Sequence, residues 1–153
     1  YNRGFRALSA TLDAGNAHLA AELLGIAQES FDRTLQYMKE RKQFGALIGS
    51  FQALQHRTAH WWSEIEMCKS VVLKVLQSLD EGDVKSPALA SIAKAKLCEV
   101  AELSTNEAIQ LHGGIGMTDE YEIGFFIKRA RPAQMLFGDY NYHANRFALI
   151  SGY

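Results

Sequence analysis

Apolar residues recur at three- and four-residue spacing along most of this chain, and almost nothing interrupts them. The two prolines are Pro87 and Pro132, and Ala, Leu, Gln and Glu fill the long stretches between breakers. That pattern predicts helix nearly everywhere. The first helix is expected to start near Asp13, capped by Thr11 or Asp13, and to run to about Arg41 with Leu12, Leu19, Leu23, Ile26, Ser30, Leu35 and Met38 on one face. Phe44-Gly45 and Gly49 break it. A second helix follows Ser50, a plausible N-cap, and carries Leu54, Trp62, Ile65, Val72, Val75 and Leu79 to the turn at Asp80-Glu81-Gly82-Asp83. The third follows Ser86-Pro87, with proline at the first helical position. Its run of Ala88, Ala90, Ser91, Ala93 and Ala95 allows a neighbouring helix to approach closely. The fourth is predicted from about Asp119 through Met135. Gly138 ends it, and Asp139 caps a last helix from Tyr140. No period-2 stretch or internal repeat is present.

Helices approaching thirty residues are roughly 45 Å long at 1.5 Å per residue. Joined by short turns, they predict an all-α fold: an up-and-down antiparallel four-helix bundle with a short extra C-terminal helix. Residues 1–153 are expected to form one domain. The formal net charge of -1 gives no electrostatic case for nucleic acid or an anionic membrane. No apolar run has the length of a membrane span, and the N-terminus does not read as a signal peptide. The chain opens without Met, at Tyr1-Asn2-Arg3-Gly4, so it reads as a fragment of something longer. Cys68 and Cys98 sit in helical patterns and are expected to be buried free thiols, which favours a reducing compartment. The adjacent Trp61 and Trp62, with Met67 and Val71 off the main stripe, exceed what one bundle core needs. Another subunit or domain is expected to cover part of that surface.

Two stretches could carry chemistry. In Gln110-Leu111-His112-Gly113-Gly114-Ile115-Gly116, three glycines fall within four positions at the end of the third helix. Bare backbone there allows positive φ and a close approach to N–H donors. Thr118, followed by Tyr121 and Glu122, reads as the next helix start, so the turn is expected near the positive end of a helix dipole, a place that suits phosphate. A plain helix C-cap with a loop explains the same glycines. In Arg41-Lys42-Gln43-Phe44-Gly45 and Phe51-Gln52, an Arg fork, an aromatic ring and an amide fall within a dozen residues. They are either a helix stop or the parts of a nucleotide site. The five histidines, His18, His56, His60, His112 and His143, are expected at surfaces or interfaces and do not make a metal site. No serine sits in a nucleophile elbow.

Taken together, these stretches resemble the C-terminal helical domain of acyl-CoA dehydrogenases. Leu12-Asp13-x-Gly15 lies in the first helix with Gly25-Ile26-Ala27 after it, Arg41-Lys42-Gln43-Phe44-Gly45 closes it, Phe51-Gln52 opens the second, and Gln110 to Gly116 closes the third. The wording at Ile48–His56 and Gly116–Tyr121 is most similar to the small-subunit type that acts on pimeloyl-CoA and similar esters. The resemblance implies a three-domain flavoprotein that removes a proton from the acyl α-carbon and passes a hydride from the β-carbon to FAD, giving a trans-2-enoyl-CoA. It implies an electron-transferring flavoprotein as acceptor, acyl-CoA as substrate, a cytoplasmic setting, and a homodimer, homotetramer or pairing with a second dehydrogenase subunit. Arg41, Phe44 and Gln52 match positions that reach the FAD of a neighbouring subunit. Gln110, Leu111, His112, Gly113 and Gly114 match the loop holding that cofactor's diphosphate and adenosine end. Asp139 and Asn141 extend the cofactor set, while Asp13, Asn16 and Gly138 match the substrate side.

The chain departs from the family at one place that matters. Most members carry the catalytic Glu just before a Gly in the final loop, where this chain has Phe137-Gly138. A minority carry it in the first helix, where this chain has Gly15. No catalytic residue is therefore assigned, although Asp139 stands two positions beyond the usual place. Asn16 also replaces the usual Arg. The alternative is a non-catalytic auxiliary subunit or a helical interaction module. As a third option, the same fold supports oxidase chemistry. The isolated fragment is expected to be inactive.

Overall fold

A computed structural model describes residues 4–153; Tyr1, Asn2 and Arg3 of the predicted domain lie outside the described residues. Five α-helices account for nearly all of it: α1 (Gly4–Glu40), α2 (Gln52–Asp80), α3 (Ser86–His112), α4 (Ile123–Met135) and α5 (Tyr140–Ser151). Cross-helix pairs fix their directions. Early α2 meets late α1 and late α3 through Thr58–Met38 and Arg57–Glu107, and late α2 meets early α3 through Ser78–Ser86. α4 runs antiparallel to α1 and α3 through Arg33–Glu122, Arg129–Glu22 and Gln134–Cys98. The fold is the expected all-α bundle, with α5 laid across α3.

Several boundaries differ from the sequence expectation, each for a local reason. α1 starts at Gly4 rather than near Asp13, because Phe5 to Leu12 contains no breaker and Asp13 is not free to cap. Its buried carboxylate is 2.7 Å from the Arg146 guanidinium on α5. α2 starts at Gln52 with Phe51 at the cap, while the Ser50 hydroxyl donates instead to the Leu47 carbonyl at 2.6 Å. α4 starts at Ile123, not Asp119. Gly113–Met117 first winds into a 3-10 turn, and the Thr118 hydroxyl donates backward to Ile115 O rather than forward into a helix.

Between α1 and α2 the chain makes a two-residue antiparallel pair, β1 (Lys42–Gln43) with β2 (Ala46–Leu47), which periodicity could not reveal. Phe44 and Gly45 take positive φ, +53° and +78°, as a tight two-residue hairpin requires. A non-glycine residue in that region is strained, and here it holds Phe44 out in solvent at 95% exposure.

α3 is the central rod. Its small residues Ala90, Ala93, Ala101 and Ala108 are fully buried between the other helices. Trp61 of α2 fills the core beside it, edge-on to Phe31 at 5.0 Å, its indole N–H donating to Ser104 Oγ at 2.7 Å. Cys68 and Cys98 are buried free thiols, as anticipated. Trp62 and Met67, by contrast, remain half exposed. Among the described residues no helix is long and apolar enough to cross a membrane.

Candidate functional site

The two sequence stretches, some sixty residues apart, line one cleft of about 540 Å³. Tyr37 and Arg41 come from the end of α1, Phe44 from the hairpin, Phe51 and Leu54 from the start of α2, and Gln110 to Ile115 from the end of α3. Gln52 is exposed at the first turn of α2 and does not line the cleft. Among the described residues Arg41 has no carboxylate partner, whereas neighbouring Arg57 is held by Glu107 through two hydrogen bonds at 2.9 and 3.0 Å. Glu107 also raises the Arg57 pKa. The positive helix end facing the cleft belongs to α2, through Phe51 and Leu54. It is not that of α4, which contributes no lining residue, so the expected dipole is present but on a different helix.

The glycines of the turn divide into two kinds. Gly113 takes φ +67° and closes α3, its N–H directed at the Ile109 and Gln110 carbonyls, so the plain C-cap reading holds for this residue. Gly116 is buried against its own helix; a Cβ there would stand 2.9 Å from Ile109 O and 3.1 Å from His112 Cβ. Gly114 is different. A Cβ on it would meet nothing within 4 Å and would stand in open space beside the cleft.

His112 forms the floor. It is buried, not at the surface as expected, and stacks on Tyr37 at 4.3 Å with Tyr121 tilted over it at 4.9 Å. Nδ1 donates to Ala108 O at 2.7 Å, which leaves Nε2 an acceptor with no partner. Burial lowers its pKa and favours the neutral ring.

At the far end of α1 the structure gathers Asp13, Asn16, Phe137, His143 and Arg146 around a small cavity of about 150 Å³. Phe137 and Gly15, the two positions at which the resemblance leads a carboxylate to be expected, lie side by side. A Cβ on Gly15 would lie 3.1 Å from the Phe137 ring. Phe137 itself takes φ +61° and Gly138 φ +110°. His143 is wholly buried, again contrary to expectation, and its pKa is pushed down to about 4 by burial and by nearby Lys94.

Behind this loop lies a residue that sequence reasoning passed over. Lys94 sits among the small residues of α3 with no exposed surface. Its ammonium donates to Gln134 O at 2.8 Å and Gly138 O at 2.7 Å, and lies 3.5 Å from Cys98 Sγ. Burial lowers its pKa. It thereby ties the end of α4 and the strained Phe137-Gly138 loop to the central rod. The only signal in the sequence is a lysine inside a run of small residues. Asp139 and Asn141 line a separate cavity of about 520 Å³ with Cys98, Glu102 and Arg131. Asp139 accepts from Tyr142 N–H at 2.9 Å and caps α5 as predicted. Among the described residues no group of His, Cys, Asp and Glu could hold a metal ion.

Residues 2–149 match the sequence profile described as the acyl-CoA dehydrogenase C-terminal domain. The chain is 34% identical over 147 residues to the short/branched chain specific acyl-CoA dehydrogenase of Bos taurus mitochondria, covering 95% of this chain and 33% of that one. It superposes on butyryl-CoA dehydrogenase from Megasphaera elsdenii with TM-score 0.94 and 30% identity, over 99% of this chain and 39% of the other. A structure of PigA with FAD and proline aligns with TM-score 0.86 and 26% identity, over 92% and 37%. The chain spans about a third of the length of the curated relatives it matches.

Proposed function

The chain belongs to the acyl-CoA dehydrogenase family as its C-terminal helical domain, and from that premise we propose that it forms part of the FAD site and oligomer interface of an enzyme that α,β-dehydrogenates acyl-CoA thioesters. The observation that carries this reading is the shared cleft: Arg41, Phe44 and Gln110 to Gly114 converge on one space of about 540 Å³. The residues fit a dinucleotide. Arg41 is unpaired among the described residues and suits a phosphate; Phe44 offers a bare ring; Gly114 leaves open the volume a side chain would fill. His112 Nε2 is a buried acceptor without a partner, suited to a hydroxyl or amine donor. FAD, when bound, supplies the hydride acceptor. Exposed Gln52, together with Asp139 and Asn141 around the second cavity, would reach parts of the cofactor outside this cleft. Asp13, Asn16 and Gly138 lie at the substrate end. Electron-transferring flavoprotein is the proposed acceptor.

The test is made on the full-length protein. Arg41→Ala should lower FAD retention, read by flavin absorbance after gel filtration, by roughly tenfold or more in affinity, the worth of a charge-assisted hydrogen bond. Unchanged retention would remove Arg41 from the site. A second reading, an auxiliary subunit without turnover of its own, is favoured by the Phe137 ring packed on Gly15. Neither position holds a carboxylate to take the α-proton, and general-base catalysis is worth about 10²–10⁴-fold. Flavin-bound full-length protein that oxidises no acyl-CoA would support it; turnover abolished by Asp139→Asn would instead make Asp139 the base.

A further inference from the structure

The flank of α2 that lies beside α1 carries a second apolar pattern, separate from the face that packs into the core. Ala59, Trp62, Glu66, Lys69, Leu73 and Leu76 follow one another in alternating steps of three and four residues. That is the heptad spacing of a helix that pairs with another helix. Its large side chains are left in solvent, with Trp62 50% and Leu73 57% exposed. Next to this seam an open groove of about 460 Å³ is lined by Phe31, Leu35 and Met38 of α1 and by Ala59 and Trp62 of α2. An aromatic ring in an unfilled apolar groove marks a surface that another helix covers.

The seam is complementary to itself in one orientation. Laid antiparallel on a copy about a two-fold axis between Met67 and Cys68, it sets Ala59 opposite Leu76, Trp62 opposite Leu73 and Glu66 opposite Lys69, each pairing occurring twice. Every layer then joins a small side chain to a large one, an aromatic to an aliphatic, or an acid to a base. The parallel arrangement would instead set Glu66 on Glu66 and Lys69 on Lys69, like charges in register. Within one chain Glu66 and Lys69 pair at 2.5 Å, both part exposed, so the two-fold gathers four alternating charges at its centre. A polar layer of this kind fixes register in paired helices at some cost in stability. The same register carries the partner's Asp80, at the end of α2, to the level of Gln55, where Lys39 lines the groove. Among the described residues neither Lys39 nor Asp80 has an ion-pair partner. We infer that this face pairs with a second copy of the chain through antiparallel α2 helices, the partner's Leu73 and Leu76 meeting Trp62 and Ala59 beside the groove. The inference deepens the oligomer-interface reading and rests on it: it names the helix, its orientation and its register.

The test is made on full-length protein. Trp62→Cys and Leu73→Cys variants are co-expressed with different tags and oxidised. Both positions are exposed, so neither change disturbs the core, and the native Cys68 and Cys98 are buried. A disulfide should join unlike copies only, because like positions stand roughly 16 Å apart along the paired helices at 1.5 Å per residue. Trp62→Ala should raise the concentration at which copies separate across this two-fold, read by sedimentation, by about thirtyfold or more, the effect of losing an aromatic anchor. An oligomer that forms no hybrid disulfide, or whose assembly Trp62→Ala leaves unmoved, would overturn this assignment alone and leave the groove to the rest of the polypeptide. Disulfides between like copies would overturn the register. Unaltered protein that stays monomeric at every concentration would overturn the oligomer reading and this inference with it.

Discussion

The two ends of this bundle handle their polar groups in opposite ways. At the cleft, Arg41, Phe44 and Gly114 are exposed, and the described chain gives Arg41 no carboxylate partner. At the other end, Asp13, Arg146, Lys94, Gln134 and Asp139 satisfy one another or nearby backbone, mostly out of water. A residue kept in solvent contributes little to stability, so its chemistry is free for another molecule. A residue held by the fold contributes stability and loses freedom. Substitutions should therefore separate: those at the far end should damage folding, and those at the cleft should damage binding alone.

The sharpest break in that comparison should come from Lys94→Met. It removes the donor to the buried Gln134 O and the part-buried Gly138 O, so denaturant unfolding should show a loss of about 3 kcal/mol. A loss under 1 kcal/mol would mean that the lysine is not holding the loop. Acid comes next. The His143 pKa is about 4 when folded against an ordinary 6.5, so the unfolded chain binds the extra proton between those values. Stability is complete above about pH 6.5 and falls as pH drops toward 4, by about 3 kcal/mol from this residue alone. His143→Gln should flatten that window in pH-dependent unfolding, and buried His112, whose pKa is also lowered, should leave a smaller residual slope. The finest test lies within one turn. Gly116→Ala should cost about 2 kcal/mol, because its Cβ would press on Ile109 O at 2.9 Å, while Gly114→Ala should stay within about 0.5 kcal/mol and instead weaken flavin retention. Equal effects of the two on unfolding would erase the distinction between the exposed and the buried glycine.

What could be read in advance follows the same division. The cleft was visible in the sequence because its parts are local signals: a glycine run after a helix, and an Arg–aromatic–Gly stop before one. The antiparallel order of the long helices was equally plain from period and turn spacing. The far end was not, because it depends on residues that meet only after folding. Asp13 reads as a cap until Arg146 arrives from α5 to claim it. Lys94 gives no signal of its own until Gly138 O and Gln134 O close over it. His112 and His143 read as surface or interface residues because composition cannot say which face of a helix turns inward. The early start of α1 has the converse reason: Thr11 and Asp13 have the chemistry of a helix N-cap, and neither acts as one.

The nearness of Phe137 to Gly15 also couples what the two positions can accept. A first side-chain carbon at position 15 would stand 3.1 Å from the ring, so the part-exposed phenyl would have to shift by a few tenths of an ångström to admit it. A side chain added at 15 is accommodated only as far as the aromatic at 137 yields, whereas trimming 137 asks nothing of Gly15. The two sites are epistatic in one direction, and a variant at 15 alone reads out how much room the ring has to move.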